Sequence, residues 1–216
     1  MPVPVQITAA DVVLNGDLSL PPDPRGVVLF AHGSGSSRNS PRNRRVAQAL
    51  VDSGAATLLM DLLTADEERL DQRTREHRFD IEMLGRRLTG AVDWLTADPR
   101  TAALQVVTFG ASTGAAAALI AAAERHDRVR GVISRGGRPD LAVDALPGVR
   151  APVLLIVGGR DPQVLELNRA AAARLSSTVD LVVVPGATHL FEEPGTLDAV
   201  IGHAVDAVRR WLPARR

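Results

Sequence analysis

An α/β sandwich, with a mainly parallel central sheet and helices on both faces, is the fold this chain predicts. Three observations carry it. Short apolar runs alternate with segments whose apolar residues recur at helical spacing. No repeat, low-complexity tract or linker interrupts that alternation, so residues 1–216 read as one domain. The residues able to do chemistry fall just past the carboxyl ends of the apolar runs, where sheets of this kind place ligands.

Taken in order, Val3–Ile7 and Val12–Leu14 alternate as short strands, and a loop with Pro21, Pro22 and Pro24 follows. Val27–Ala31 reads as a buried strand running into His32-Gly33-Ser34-Gly35. Arg42–Asp52 has Val46, Leu50 and Val51 at helical spacing and stops at Gly54. Ala55–Met60 is the next strand, ending at Asp61. Asp66–Arg78 is dense in both charges, with Leu70 its only strongly apolar residue, and reads as an exposed helix or loop. Ile81, Leu84, Leu88, Val92 and Leu95 mark one face of a helix that ends before Pro99. Leu104–Phe109 is a buried strand and Ala115–Glu124 a helix. Val129–Ser134 and Pro152–Val157 are strands, Val164–Leu175 is helical, and Val179–Val184 is the last strand. Leu197, Val200, Ile201, Ala204, Val208 and Trp211 form the stripe of a closing helix.

Composition narrows the function classes. The formal net charge is zero, which argues against a nucleic-acid partner, since such proteins carry a basic excess or stripe. All the positive charge is arginine, a bias that sits beside abundant alanine. With no cysteine, disulfides, thiolate catalysis and cysteine-based metal sites are excluded. The first residues show no charged segment followed by a long apolar core, and no apolar run approaches membrane-spanning length. Cytoplasmic location, no membrane partner and a monomer or homodimer are the expectations.

Gly110-Ala111-Ser112-Thr113-Gly114 joins the strand ending at Phe109 to the following helix. Strand, G-x-S-x-G, helix is the context of a nucleophile elbow, in which a tight turn pushes the serine hydroxyl outward. The blander alternative is a small-residue turn whose Ser112 caps the helix. A serine hydroxyl needs a base to attack at neutral pH, and that base needs a carboxylate to orient it. Asp161, in a Gly-Gly-Arg-Asp-Pro turn, and His189, in a Gly-Ala-Thr-His loop, follow two later strands. Alone, Asp161 reads equally well as a helix cap and His189 as a loop histidine. Together, in the order Ser112, Asp161, His189, they match the chain order of α/β-hydrolases.

Acyl transfer also needs donors for the developing oxyanion. The backbone N–H of Thr113, after the nucleophile, is one candidate. The second comes from the loop after Val27–Ala31: Ser34 is the first choice and Gly33 the neighbour that could replace it. His32 shapes this loop rather than moving protons, and His77, His126 and His203 are neither bases nor spaced for a metal.

The His-Gly-Ser-Gly loop, Gly-Ala-Ser-Thr-Gly-Ala, Val-Gly-Gly-Arg-Asp and Pro-Gly-Ala-Thr-His-Leu-Phe resemble the dienelactone hydrolase-like branch of the α/β-hydrolase superfamily. The resemblance covers nearly the whole chain. It implies the eight-stranded hydrolase fold or a slight variant, and hydrolysis of an ester, lactone or thioester through an acyl-enzyme, with no cofactor. Two departures stand out. Dienelactone hydrolases use a cysteine nucleophile, where this chain has Ser112. They also bind an anionic substrate partly through an arginine shortly after the catalytic histidine, where this chain has Phe191, Glu192 and Glu193. Arg135 and Arg138 either supply positive charge at a neighbouring strand end or are solvated loop arginines. Lid insertions in this superfamily usually lie between the sixth and seventh strands. Here that connection runs only from about Ser134 to Ala151, so no large cap domain is expected and the site is open. Asp61–Arg78 forms one rim, with Phe191 and Met60 as wall or core residues.

The expected function is cleavage of a small-molecule carboxylic ester or lactone by Ser112, His189 and Asp161. Thioesterase, acyltransferase or perhydrolase chemistry uses the same three residues. A non-enzymatic interaction domain on a hydrolase scaffold is the remaining class.

Overall fold

The computed structural model describes residues 2–10 and 12–213. Its core is one eight-stranded sheet in the order β1-β2-β4-β3-β5-β6-β7-β8. β1 (Val3–Ala9) and β2 (Val12–Ser19) form an antiparallel hairpin, pairing Val3 with Leu18 and Ala9 with Val12. β2 also runs against β4 (Ala56–Met60), with Leu18 opposite Leu58. All later pairings are parallel. β3 (Val27–Ala31) lies between β4 and β5 (Val106–Ala111), and β6 (Val129–Arg135), β7 (Val153–Gly158) and β8 (Val179–Val184) complete the sheet.

The period-2 geometry of strands sorts their side chains onto two faces. Val28, Phe30, Val107, Phe109, Ile133 and Ile156 face one way and pack with α1 (Pro41–Asp52) and α6 (Thr196–Trp211). The rings of Phe30 and Phe109 stack there, 4.7 Å between centroids. Leu29, Leu58, Val106, Val132 and Leu155 face the other way, toward α3 (Ile81–Ala97), α4 (Thr113–Glu124) and Ala171 of α5 (Pro162–Ala172). Strands covered on both sides read as continuous apolar runs, which is why β3 to β7 stood out in the sequence.

Several boundaries move. β2 continues to Ser19, because β4 offers it a second ladder. α4 and α5 each begin two residues earlier than their apolar pattern, α5 with Pro162 in its first turn, where a missing N–H costs nothing. The charged 66–78 segment resolves into α2 (Ala65–Thr74) and a turn. Thr64 and Glu67 close a reciprocal capping box at its start. Met60 and Phe191 are core residues, each 1% exposed, rather than cavity walls. The connection from β6 to β7 holds only two 3-10 turns, at Pro139–Ala142 and Leu146–Gly148, so no cap domain stands between them.

The β5–α4 turn fixes the position of everything above the sheet. Ser112 has φ 51° and ψ −120°, a left-handed backbone that a side-chain-bearing residue enters only under strain. The glycines on either side let the helix sit this close. A Cβ at Gly114 would lie 2.5 Å from the His32 carbonyl oxygen and closer still to that of Ala31. One at Gly110 would meet the Ala115 nitrogen at 2.5 Å. Both obstacles are backbone and cannot step aside. Gly114→Ala is therefore expected to cost about 3 kcal/mol, lowering the melting temperature by roughly 6–12 °C. Thermal denaturation followed by circular dichroism checks this; a variant that melts with the wild type would show the turn has slack.

Candidate active site

The structure brings Ser112, Asp161 and His189 together from three separate strand ends. Ser112 leaves β5, Asp161 leaves β7 and His189 leaves β8. The His189 Nδ1 lies 2.7 Å from Asp161 Oδ2, and its Nε2 lies 3.4 Å from Ser112 Oγ. Neither of the capping alternatives is realised. Ser112 stands at the N-cap of α4 and Asp161 at that of α5, yet neither side chain makes a capping hydrogen bond. Both are turned toward His189 instead.

Backbone hydrogen bonds hold these loops in register. The Arg160 N–H donates to the Ala187 carbonyl at 2.8 Å and Gly159 N–H to Val184 at 2.9 Å, clamping the Asp161 turn to the His189 loop. The Glu193 carboxylate accepts from the Thr188 N–H at 3.1 Å, one residue before the histidine. Ser112 N–H donates to the Arg135 carbonyl at 3.3 Å, tying the elbow to the end of β6.

The loop after β3 runs beside the elbow. Ser34 departs from its expected role in one respect: its N–H donates to Thr113 Oγ1 at 2.9 Å. Thr113 is buried at the first position of α4, so its hydroxyl needs a partner, and the loop backbone is the group it meets. Thr113's own N–H belongs to the first turn of a helix, where backbone donors lack intrahelical acceptors. Gly33 packs directly on Ser112: a Cβ there would come within 3.1 Å of the Ser112 Cβ.

His32 braces this loop from below. Its Nε2 accepts from the Leu62 N–H at 3.0 Å, which leaves the proton on Nδ1 to be donated to the Gly33 carbonyl at 2.9 Å. Burial holds its pKa below the ordinary 6.5. The loop is stapled again at Asp61, whose carboxylate takes the Arg38 N–H at 2.9 Å and the Arg38 guanidinium. Asp61 is thus a structural anchor.

A cavity of about 210 Å³ opens onto Ser112 and His189 and is also lined by Arg42, Asn43, Arg135 and Leu190. A larger one, about 510 Å³, lies across the 33–40 loop, between it and the start of α2. Ser112 and His189 line the smaller cavity and not the larger. The 61–78 stretch contributes Asp61, Thr64, Ala65 and Glu68 to the larger cavity's rim. Of the two arginines singled out beyond β6, Arg138 forms a two-point pair with Asp140, at 2.9 and 2.7 Å. Arg135 faces the cavity. Its burial is the feature that sequence reasoning left undecided, because nothing local distinguishes it from Arg138. Among the described residues, no group of three or more histidine, aspartate or glutamate side chains is arranged to hold a metal, and no helix is long and apolar enough to cross a membrane.

A serine on a strained strand–helix turn, faced by an aspartate-bound histidine above an eight-stranded sheet with β2 reversed, defines the α/β-hydrolase class. The comparisons with known proteins agree. The chain belongs to the α/β hydrolase domain family, whose model matches residues 24–212, and within it is dienelactone hydrolase-like. It is 55% identical to a crystal structure of dienelactone hydrolase from Anabaena variabilis, with a TM-score of 0.96 over 98% of both chains. Est1E from Butyrivibrio proteoclasticus shares the fold at 18% identity and TM-score 0.81, over 96% of this chain and 98% of that one. Two curated Mycobacterium tuberculosis proteins, provisionally named phosphoribosyl transferases, are 58% identical over 94% of this chain. This chain spans 45% of their length.

His32 makes the site pH-sensitive through stability. As pH falls, the unfolded chain takes up a proton on this histidine near 6.5, while the folded chain resists until lower pH. Unfolding is then coupled to proton uptake, so the contribution of His32 is fully present above 6.5 and is lost below it. The melting temperature of the wild type is expected to fall more steeply between pH 6.5 and 5 than that of His32→Asn. Parallel slopes in the two proteins would refute this.

Proposed function

We propose that this hydrolase cleaves carboxylic esters through an acyl-enzyme, with Ser112 as nucleophile, His189 as general base and acid, and Asp161 as its orienting carboxylate. The observation that carries the reading is the continuous hydrogen-bonded line Asp161–His189–Ser112 at a strained turn. Its second step, 3.4 Å, is long for a hydroxyl contact, as is usual before substrate closes the geometry.

The sequence of steps follows from the groups present. His189 Nε2 takes the Ser112 proton as Oγ attacks the ester carbonyl. Asp161 keeps the other proton on Nδ1 and stabilises the imidazolium. The carbonyl oxygen gains charge beside the Thr113 N–H. It also approaches the Ser34 N–H, for which it competes with the Thr113 hydroxyl. His189 then hands its proton to the departing alkoxide, releasing the alcohol. Water, deprotonated by the same nitrogen, attacks the acyl-enzyme and frees the carboxylic acid and Ser112. With only two 3-10 turns between β6 and β7, esters of modest size reach Ser112 directly. The transferase name of the M. tuberculosis relatives attaches to proteins that extend well beyond the matched region, and the site favours hydrolysis.

Ser112→Ala should lower turnover of p-nitrophenyl butyrate by roughly 10⁴-fold or more. It should also abolish labelling by a fluorophosphonate, read as the missing adduct in the mass spectrum of the peptide carrying residue 112. Asp161→Asn should lower kcat by about 10⁴-fold while the protein stays folded. Retained turnover in Ser112→Ala would overturn the assignment. Rates on matched oxygen esters, thioesters and peroxide then separate esterase from thioesterase and perhydrolase.

A further inference from the structure

The segment 136–138, just past β6, lies against both Ser112 and His189. A Cβ at Gly136 would sit 3.1 Å from the His189 carbonyl oxygen and 3.6 Å from its ring carbon Cε1, so the chain passes directly by the histidine. Gly137 is pressed between β6 and α4: a Cβ there would strike Ser134 Oγ and come within 2.6 Å of the Ala115 Cβ. The Arg138 N–H then donates to the Ser112 carbonyl at 3.0 Å. The Ser112 N–H reaches the Arg135 carbonyl in turn. One hydrogen bond at each end of a residue fixes its φ and ψ together, and this is the residue at φ 51°.

A single buried side chain holds that segment. Asn168 is 0% exposed and lies two turns beyond Asp161, which stands at the start of the same helix, α5. Its Nδ2 donates to the Gly137 carbonyl at 2.9 Å and to the Val164 carbonyl at 2.8 Å. Two acceptors at one end of the amide set its orientation, because only the NH2 group can serve both. The Gly137 carbonyl and the Arg138 N–H belong to one planar peptide unit, so a donor on the oxygen also fixes the direction of the N–H. It polarises the unit as well, which strengthens the bond that the N–H makes to Ser112. A line of contacts thus joins the helix that starts at Asp161 to the turn that carries Ser112.

Packing alone does not call for an amide at position 168. Its Oδ1 is sealed from solvent with no hydrogen-bond partner among the described residues, a deficit that a leucine of similar volume avoids. What the asparagine adds over leucine is the donor on the Gly137 carbonyl.

We propose that Asn168 is a positioning residue for the reaction: through the Gly137–Arg138 peptide it holds the backbone of Ser112, and with it Oγ, within reach of His189. The proposal rests on the hydrolase reading above and extends it to a residue outside the Asp161–His189–Ser112 line. Asn168 does not line the cavity at Ser112 and moves no proton. The step from Ser112 Oγ to His189 Nε2 is 3.4 Å before substrate binds, so any further retreat of the serine lengthens the path the proton must take. The effect therefore falls on kcat and leaves substrate binding alone.

Asn168→Leu keeps the volume and removes the donor. It is expected to lower kcat on p-nitrophenyl butyrate by roughly tenfold or more, with KM close to the wild-type value. The rate of fluorophosphonate labelling at Ser112 should fall with kcat. Asn168→Ala, which cannot clash, should do the same, and it carries the test if the leucine variant does not fold. Ala171→Gly loosens the same helix one turn further on while leaving the amide in place, and should keep wild-type kcat. Unchanged kcat in the folded Asn168 variants, or an equal loss in Ala171→Gly, overturns the proposal.

Amide hydrogen exchange followed by NMR tests the tie without any substrate, so its outcome is separate from that of the hydrolase reading, which falls if Ser112→Ala keeps its turnover. In the Asn168 variants the Arg138 N–H should exchange roughly tenfold faster or more, while amides in the ladder between β3 and β5 keep their wild-type rates. No acceleration at Arg138, or the same acceleration throughout the sheet, overturns the assignment of Asn168 as the group that holds this peptide.

Discussion

The backbone of Ser112 is the constraint on which the rest of the molecule depends. Held at positive φ, it stores on the order of 1–3 kcal/mol of strain, and such a conformation survives only where its surroundings over-determine it. Those surroundings are parallel strands β3 and β5 in register, a helix pressed against the β3 carbonyls, and two glycines that permit the approach. Release of any of these would let the turn relax, and the serine would fall back into the capping geometry that its place at a helix start otherwise favours. The strain keeps the hydroxyl pointing at His189.

Around that turn, hydrogen bonds give several polar groups near Ser112 one orientation. His32 spends both ring nitrogens on the loop backbone. Thr113 spends its hydroxyl on Ser34, and Asp61 spends both carboxylate oxygens on Arg38. These groups are rigid because they are satisfied. Arg135 and Asn43 differ: each is buried, with a polar side-chain atom that has no hydrogen-bond partner among the described residues.

The Anabaena variabilis dienelactone hydrolase overlays almost the entire chain, whereas the M. tuberculosis relatives are matched over only part of their length. The sheet, elbow and loops form a complete frame within the 24–212 match, and the hairpin of β1 and β2 extends it at one edge. The additions to that frame are small: two 3-10 turns between β6 and β7 and one short charged helix at α2.

Strand runs, helix stripes and the glycine-flanked serine were legible in the sequence because each is set by local rules. Continuous apolar runs mean strands buried on both faces, helical spacing means one packed face, and small residues around a serine mean a crowded turn. The order Ser112, Asp161, His189 was legible for the same reason: each follows a strand, and parallel strands deliver their ends to one edge. Contacts between segments distant in the chain were not. That Ser34 would give its N–H to Thr113, that Phe191 and Met60 would be core, and that α2 would border a second cavity all depend on how loops fold over the sheet. The two arginines of Ser-Arg-Gly-Gly-Arg show the division most sharply. The sequence determined that two cations follow β6. Only the tertiary structure decided that Arg138 finds Asp140 while Arg135 is shut in beside Ser112, because burial and pairing depend on which other elements close around a side chain.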